Sequence, residues 1–313
     1  MPLLTRRAIL MAKIESTYGT DSAPVGGTDA VLARNVNLRP LQTEFVDRAL
    51  VRPYLGNSER LPAARFVELE FEVEVQSSGT AGTAPAYGPL LRACGLAQTV
   101  SAGVSVSYSP VSSGFESVSI YHNQDGVRHR LLGARGTVRF VFNVRQIPVM
   151  RFTFTGLYVA VDDAALPTPT YTAWRAPAVV NNQNTPTFQL HGINASAIPL
   201  ESLEVDLGNT VVYRSLVGAE LVLITDRQSA GTARFEASTV AVQNWWSRIV
   251  AATLGNLSLV HGVGAGNVVT LASSTVQITE PTYSDSDGIV MMGAALQFIP
   301  TSAGNNELTL TLT

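Results

Sequence analysis

One segment, Phe66 to Gln76, constrains the fold more than any other, because its apolar and acidic side chains alternate strictly. Its sequence is FVELEFEVEVQ. A period of two is typical of a β-strand with one buried side and one side that faces solvent. The segment therefore predicts a half-buried strand whose outer side is acidic and consists of Glu68, Glu70, Glu72 and Glu74.

The same alternation recurs in three further segments, which are Thr137 to Asn143, Met150 to Thr155 and Glu307 to Thr313. Glycine, serine, asparagine and aspartate cluster between the alternating segments, as turns require. Asp125-Gly126 is typical of a two-residue hairpin turn. These patterns predict a chain that is mainly β.

Helical patterns are fewer. One lies at Pro89 to Leu96, and the second lies at Trp245 to Leu254 with Gly255 at the position of a C-cap. The chain is thus expected to be α+β in the narrow sense that a few short helices accompany many strands.

Composition excludes several classes of protein. Charged residues make up 14% of the 313 residues and the net charge is -3, so the chain has no basic footprint for nucleic acid. The only cysteine is Cys94, which rules out a disulfide within the chain and favours folding in a reducing cytoplasm. No apolar window is long enough for a membrane span, and the N-terminal apolar run is too short for a signal peptide.

The two halves of the sequence share short matches in the same order, about 160 residues apart. The order of the matches predicts an internal duplication, with the proline-rich stretch 162–186 as an extended linker. The matches are Pro40-Leu41 with Pro199-Leu200, Tyr54 with Tyr213, Ala64-Arg65-Phe66 with Ala233-Arg234-Phe235, Gln76 with Gln243, Gly133-Ala134 with Gly293-Ala294, and MRFTFT with ELTLTLT.

Three passages carry a likeness to a known family, and they are Ile14 to Leu38, Ser119 to Phe142 and Phe152 to Pro169. In these passages the chain resembles the major tail tube proteins of long-tailed, siphovirus-type bacteriophages. The second half resembles the family mainly through its likeness to the first half.

The resemblance implies two tandem β-sandwich domains of the tail tube type, each with one flanking helix. The expected organisation is an N-terminal arm at 1–33, a first domain at 34–161, the linker at 162–186 and a second domain at 187–313. Most family members supply one domain and form hexameric rings, whereas a minority supply two and form trimeric pseudo-hexamers. A duplicated chain is expected to form such a homotrimer.

The resemblance also implies a structural virion protein whose rings stack into a tube, the conduit for DNA during genome ejection. Its expected partners are other copies of itself and the tape-measure, tail-terminator and tail-tip proteins. DNA is expected to pass without specific binding, and no membrane partner is expected. Synthesis and assembly would take place in the cytoplasm of the bacterial host, before the protein reaches its place in the virion.

Two sets of residues are candidates for the surface that lines the tube. The first set is the acidic stripe, because acidic walls would repel DNA; the alternative is an ordinary solvated face. The second set consists of threonines that would form a neutral wall, although ordinary strand propensity also explains them. These threonines are Thr153, Thr155, Thr309 and Thr311.

Contacts between rings are expected from the long segment Leu41 to Pro62, from the flexible arm before Asn35, and from the second-half counterpart Glu201 to Gly218. All three mix polar and apolar residues. The candidate contact residues are Phe45, Arg48, Arg52, Tyr54 and Tyr213.

No catalytic, cofactor or metal site is expected. The four histidines His122, His129, His191 and His261 lack the spacing of a zinc site, and Cys94 has no base beside it in the sequence. Three alternatives remain open. They are another phage ring protein such as a neck, terminator or contractile inner tube part, a two-domain carbohydrate-binding sandwich, and an enzyme.

Overall fold

The computed structural model of the chain describes residues 2–313. The protein is mainly β, with 53% of its residues in strands and 5% in helices. The elements in chain order are β1 (Ala8–Ile14), α1 (Gly26–Asp29), β2 (Ala30–Val31), β3 (Ala33–Asp47), β4 (Arg60–Glu74), α2 (Gly88–Ala93), β5 (Leu96–Ser101), β6 (Ser105–Pro110), β7 (Val118–Gln124), β8 (Val127–Asn143), β9 (Val149–Tyr158), β10 (Asp162–Asp163), β11 (Thr187–Leu190), β12 (Ile193–Asn194), β13 (Leu200–Asp206), β14 (Asn209–Leu216), β15 (Ala219–Arg227), β16 (Ala230–Glu236), α3 (Trp245–Val250), β17 (Leu254–His261), β18 (Val269–Ser286), β19 (Ile289–Phe298) and β20 (Thr309–Leu312).

Eight strands form one continuous antiparallel series, which we call the eight-strand run. Its order is β3-β4-β9-β8-β13-β16-β19-β18. The pairing of β8 with β13 joins the two halves of the chain at the middle of the run. Strands β8 and β18 contribute mainly their C-terminal parts.

The N-terminal parts of β8 and β18 pair with a second set of strands. In the first half β8 continues to β7, β1 and β2. In the second half β18 has two such neighbours, β17 on one side and β20 on the other. Strand β17 pairs in turn with β11, and β20 pairs in turn with β6. Register shifts at Leu132/Arg135 and Thr279/Thr282 interrupt the two long strands, and bulges of this kind bend a strand.

The apolar core is built from alternate residues of both strand sets. Residues 66–74 are confirmed as a half-buried strand, because Leu69, Phe71 and Val73 are buried while the glutamates between them face outward; the strand ends at Glu74, two residues earlier than expected. Phe71 stacks on Phe152 and Phe154 of β9, with ring centroids 5.5 and 5.9 Å apart. One core cluster includes residues of both halves, and each large side chain that it buries contributes about 1.5–3 kcal/mol.

The turn at Asp125-Gly126 is confirmed. It connects β7 to β8, whose last and first residues pair directly. Both turn residues have positive φ, 44° at Asp125 and 107° at Gly126. A two-residue hairpin turn of this type needs positive φ at both positions, and Asp-Gly meets that requirement.

Both predicted helices are present, as α2 and α3, but the expected end of the second helix is wrong. The helix ends at Val250, and Ala252 adopts the left-handed conformation, with φ of 50°. Gly255 lies inside β17 instead of capping the helix. A Cβ at Gly255 would lie 2.3 Å from the ring of His191, so the glycine is required by packing.

The expectation of a flexible N-terminal arm is wrong for residues 8–14. They form β1, which pairs with β7 along its whole length, and Ile9 to Ala12 are buried. Glu15 follows as a buried acceptor: its carboxylate binds the hydroxyls of Ser117 and Ser119 and the backbone N–H of Gly133. This apolar sequence is therefore part of the fold.

The proline-rich stretch 162–186 has little regular structure, but it is attached to both halves. Its contacts with the second half include a hydrogen bond of 2.6 Å from the N–H of Gly262 to the carbonyl of Asn184. Asp162 and Asp163 form β10 against β8. The indole N–H of Trp174 donates to the carbonyl of Ala30 at 3.0 Å. Val180 is buried and exchanges backbone hydrogen bonds with residues 145 and 146.

Three of the sequence matches between the halves are wrong. Gly133-Ala134 lies on β8, whereas Gly293-Ala294 lies on β19, whose place in the run corresponds to that of β9. Phe66 faces outward on β4, whereas Phe235 faces inward on β16 and is completely buried. MRFTFT forms most of β9, which lies between β4 and β8, whereas β20 lies between β18 and β6. A register difference of one residue exchanges the faces of a strand, so these identities do not mark equivalent positions.

Candidate functional site

The outward side of the eight-strand run is a continuous polar surface, which we call the polar face. Glu68 lies directly opposite Thr155, and Glu70 lies opposite Thr153, across the pairing of β4 with β9. Thr153 in turn lies opposite Thr137 of β8. The structure thus brings the acidic stripe and two of the candidate threonines together on one surface.

Arginines from the neighbouring strands accompany the acidic stripe. Arg39 of β3 contacts Glu68 at 2.8 Å. Glu72 accepts from Arg34 at 3.2 Å and from Arg151 of β9 at 2.9 Å. The stripe is therefore partly neutralised. The sequence did not reveal these pairs, because strand register depends on three bulges between β3 and β4.

The polar face continues across the junction of the two halves. Arg139 of β8 donates to Asp206 of β13 at 2.7 Å. This hydrogen bond raises the pKa of the Arg139 guanidinium. A shallow depression joins the two residues to Thr153 and Asn35, so the surface extends without a break from β3 to β13.

Thr309 and Thr311 are not part of the polar face. Both lie on β20, where Thr311 is opposite Thr270 of β18 and Ser107 of β6. These strands belong to the second set. The structure therefore separates this pair from Thr153 and Thr155 within one chain.

The distal half of the β3–β4 hairpin, residues 42–66, projects from the fold, and we call it the first arm. Four of the candidate contact residues lie on it, namely Phe45, Arg48, Arg52 and Tyr54. The phenyl ring of Phe45 is 52% exposed and Tyr54 is 66% exposed. Strand pairing ends at Asp47 and Arg60, which form an ion pair at 2.5 Å.

The β14–β15 hairpin, residues 209–227, is the second arm, and it is folded back onto the first half. Tyr213, the remaining candidate contact residue, packs on Phe66 with ring centroids 5.0 Å apart. Its hydroxyl donates to Glu220 of the same hairpin. This tyrosine therefore already has partners inside the chain.

The eight-strand run ends in two open edges. Strand β3 pairs with β4 on one side, and residues 282–286 of β18 pair with β19 on one side. Within residues 2–313, no strand pairs with the other side of either segment. Open edges present unpaired N–H and C=O groups that can pair with another chain.

A chain with an extended polar sheet face, two open edges and a projecting arm has the properties of an assembly subunit. The family model for phage tail tube proteins matches residues 5–305. The chain belongs to the phage tail tube protein family. No curated protein sequence matches it.

Membership in the tail tube family identifies a structural component of the virion and favours a protein without enzymatic activity. In the part of the chain that the structure describes, no three histidine, cysteine, aspartate or glutamate residues group as a metal site would require. None of the helices between residues 2 and 313 has the length and apolar character needed to cross a membrane.

The four histidines and the cysteine of this tail tube family member favour their neutral forms. Burial lowers the pKa of all four histidines, and it lowers that of His122 to about 4 together with the charge of His129 opposite. Burial also raises the pKa of the Cys94 thiol. A neutral, enclosed thiol is a poor nucleophile.

Proposed function

We propose that this protein assembles into closed rings, that the rings stack into the tail tube, and that the polar face lines the channel. The observation that carries this proposal is the eight-strand run, which is buried on one side, polar on the other and open at both edges. Closing a sheet into a ring removes its edges.

The junction between the two halves supports the mode of ring closure. Strand β8 ends the first four strands of the run and pairs with β13, which begins the second four. In the proposed ring, the free edge of β18 pairs with β3 of the next copy in the same manner.

We further propose that the chain is an internal duplication and that three copies form the ring. In the first half, the strands of the run come along the chain in the order β3, β4, β8, β9, but they lie side by side in the order β3-β4-β9-β8. The second half has the same relation: its strands come along the chain in the order β13, β16, β18, β19, and they lie side by side in the order β13-β16-β19-β18. Helices α2 and α3 each follow the second strand of the run in their half of the chain. Each is followed by a left-handed residue, Gly95 with φ of 76° or Ala252 with φ of 50°. Six units per ring then come from a homotrimer.

The polar face suits a channel for DNA because its charges are balanced. Acidic groups without partners repel phosphates, whereas free lysines or arginines would bind and retain them. On this face the arginines near Glu68 and Glu72 are paired with carboxylates. DNA would pass such a wall without specific binding.

The tip of the first arm is the proposed contact between stacked rings. Val51 and Leu55 are exposed along their whole side chains, at 103% and 102%. A fully exposed pair of this kind is typical of a surface that another protein covers. Tape-measure, terminator and tail-tip proteins would bind the ends or interior of a long, siphovirus-type tube assembled in the host cytoplasm.

Negative-stain electron microscopy and mass photometry of the purified chain test the proposal. Rings of three copies that stack into hollow tubes are the expected result. Rings of six copies would retain the tube function and exclude the pseudo-hexameric trimer. A chain that stays monomeric at all concentrations, even with preformed tail tips added as initiators, would overturn the proposal of self-assembly.

A further inference from the structure

The surface around α3 is apolar and uncovered. Val250 is 89% exposed, Tyr283 is 62% exposed and Trp246 is 39% exposed. The rings of Trp246 and Tyr283 contact each other edge to face, with centroids 5.8 Å apart. We call these three residues the α3 patch. Contiguous exposed aromatic and aliphatic side chains mark interaction surfaces more often than ordinary solvent-facing surface.

The equivalent surface of the first half has a different environment. In α2 the side chains of Leu90, Leu91 and Ala93 are completely buried, as is Cys94 at the cap. In α3 only Trp245 is buried. Both helices follow the second strand of the run in their half of the chain, but α2 packs more deeply into the core than α3 does.

Part of the cover over the end of α2 is the second arm. The side-chain amide of Asn209, at the base of that arm, donates to the carbonyl of Cys94 at 2.6 Å. Ile224 packs beside Gly95, and Val222 is completely buried. The carbonyl of Val222 accepts from Arg135 at 2.9 Å, and its N–H donates to the hydroxyl of Tyr18 at 2.6 Å.

The chain connectivity explains how the second arm reaches this position. Strand β13 pairs with the edge of β8, and the chain continues directly into β14 of the second arm. Pairing at the strand junction therefore places the arm over the end of the neighbouring helix. The first arm continues from β3 in the same way, and apart from Phe66 at its base most of its residues are exposed.

From this relationship we infer that the first arm of one copy covers the α3 patch of the next copy in the ring. The inference rests on the proposed ring, and it names the occupant of an otherwise bare surface. In the inferred arrangement β3 pairs with the free edge of β18 and the arm that follows it lies beside α3, because Trp246 of α3 contacts Tyr283 on that same edge segment. Leu61, at 51% exposure, supplies apolar contact area from the arm.

The first test replaces Val250→Asp and measures the concentration at which rings form, by mass photometry. Because Val250 is exposed, the fold and its melting temperature should not change. The matched control is Val104→Asp, which changes an equally simple side chain, 61% exposed, in the β5–β6 turn. We expect Val250→Asp to raise the ring-forming concentration at least about tenfold, which corresponds to 1.4 kcal/mol, and Val104→Asp to leave it unchanged.

The second test identifies the occupant. Cysteines at Val250 and at Leu61 or Ala63 are treated with a short bismaleimide after assembly; native Cys94 is completely buried and should not react. Ladders of linked copies are expected from the double variants only. Rings in which Val250→Asp assembles normally and no ladder forms would overturn this inference while the proposed function stands. A wild-type chain that forms no rings would overturn both.

Discussion

Arg227 and Glu307 form an ion pair at 2.5 Å in which the two side chains are only 12% and 5% exposed. The arginine lies at the end of the second arm and the glutamate lies just before β20. A second N–H of Arg227 donates to the carbonyl of Val111 at 2.7 Å. One side chain therefore ties the second arm, the C-terminal strand and the end of β6 together.

Removal of the Arg227 guanidinium should lower the stability of the fold. We expect Arg227→Met to lower the free energy of unfolding by about 3 kcal/mol, because it leaves a buried carboxylate without its partner. The control is Arg139→Met. The side chains of Arg139 and its partner Asp206 are 47% and 28% exposed, so this substitution should lower the free energy of unfolding by no more than about 1 kcal/mol. Urea denaturation of both variants measures the difference, and equal losses would contradict the distinction.

The two phenylalanines of the repeated Ala-Arg-Phe triplet should respond differently to truncation. Phe235 is completely buried against Trp245, with centroids 5.4 Å apart, so Phe235→Ala should cost about 3–5 kcal/mol. Phe66 is partly exposed and contacts mainly Tyr213, and its truncation should cost less than half as much. Thermal denaturation of the two variants decides, and a larger loss for Phe66→Ala would contradict the assigned faces.

The same triplet shows how far sequence reasoning reaches. Alternation correctly predicted that the glutamates of segment 66–76 face outward, since that pattern is local. It could not predict which strand lies beside which, because register depends on bulges and on long-range pairing. The identity of three letters at Phe66 and Phe235 was consequently misleading. One helix in each half was expected from the sequence, and α2 and α3 are both present, each after the second strand of the run in its half.

The same limit applies to the site. The acidic stripe was predicted from the sequence, but its arginine partners were not, since Arg34, Arg39 and Arg151 lie on other strands. The first arm was identified by its length and mixed polarity. The α3 patch could not be assembled from the sequence, because Trp246 and Tyr283 are far apart in the chain.

Acid should weaken the fold through His122. Its pKa is about 4 in the folded chain against an ordinary value of 6.5, because burial and then the charge of His129 disfavour protonation. The folded state thus binds the proton less readily than the unfolded state. The resulting stability is fully present above the ordinary pKa and is lost as the pH falls towards 4.

Comparing wild type with His122→Gln isolates this contribution from that of the carboxylates. Between about pH 7.5 and pH 4.5, wild type should lose about 2–3 kcal/mol more of its free energy of unfolding than the variant does. Urea titrations at both pH values provide the measurement. The same loss in both proteins would show that His122 does not titrate in this range.

A lysine on the polar face should make an assembled tube retain DNA. Thr153 is exposed at the centre of that face, opposite Glu70, so Thr153→Lys places a cation from every copy along the proposed channel. Thr99→Lys, at an exposed position on β5, is the control. Nuclease-protected DNA should remain in tubes of the first variant at low salt and be released as salt rises. Equal retention by both variants would place the channel elsewhere.

Stacking should depend on the tip of the first arm. Residues 48–59 separate Asp47 from Arg60, which are paired across the hairpin, and an Asn-Gly turn is the ordinary way to close two such strands. The second arm already closes in this manner at residues 217 and 218. Replacing 48–59 by Asn-Gly should therefore preserve the folded chain and the rings, since the strand pairing remains intact.

The shortened chain should nevertheless form no long tubes, because Val51, Tyr54 and Leu55 are lost as contacts to the next ring. Tube lengths measured by electron microscopy provide the test. A second variant, in which residues 48–59 are replaced by a glycine-serine loop of the same length, keeps the length of the arm but removes its apolar side chains. If this variant also forms only short tubes, stacking depends on the apolar side chains and not on the length of the arm. Tubes of normal length from the Asn-Gly variant would show that another surface connects the rings.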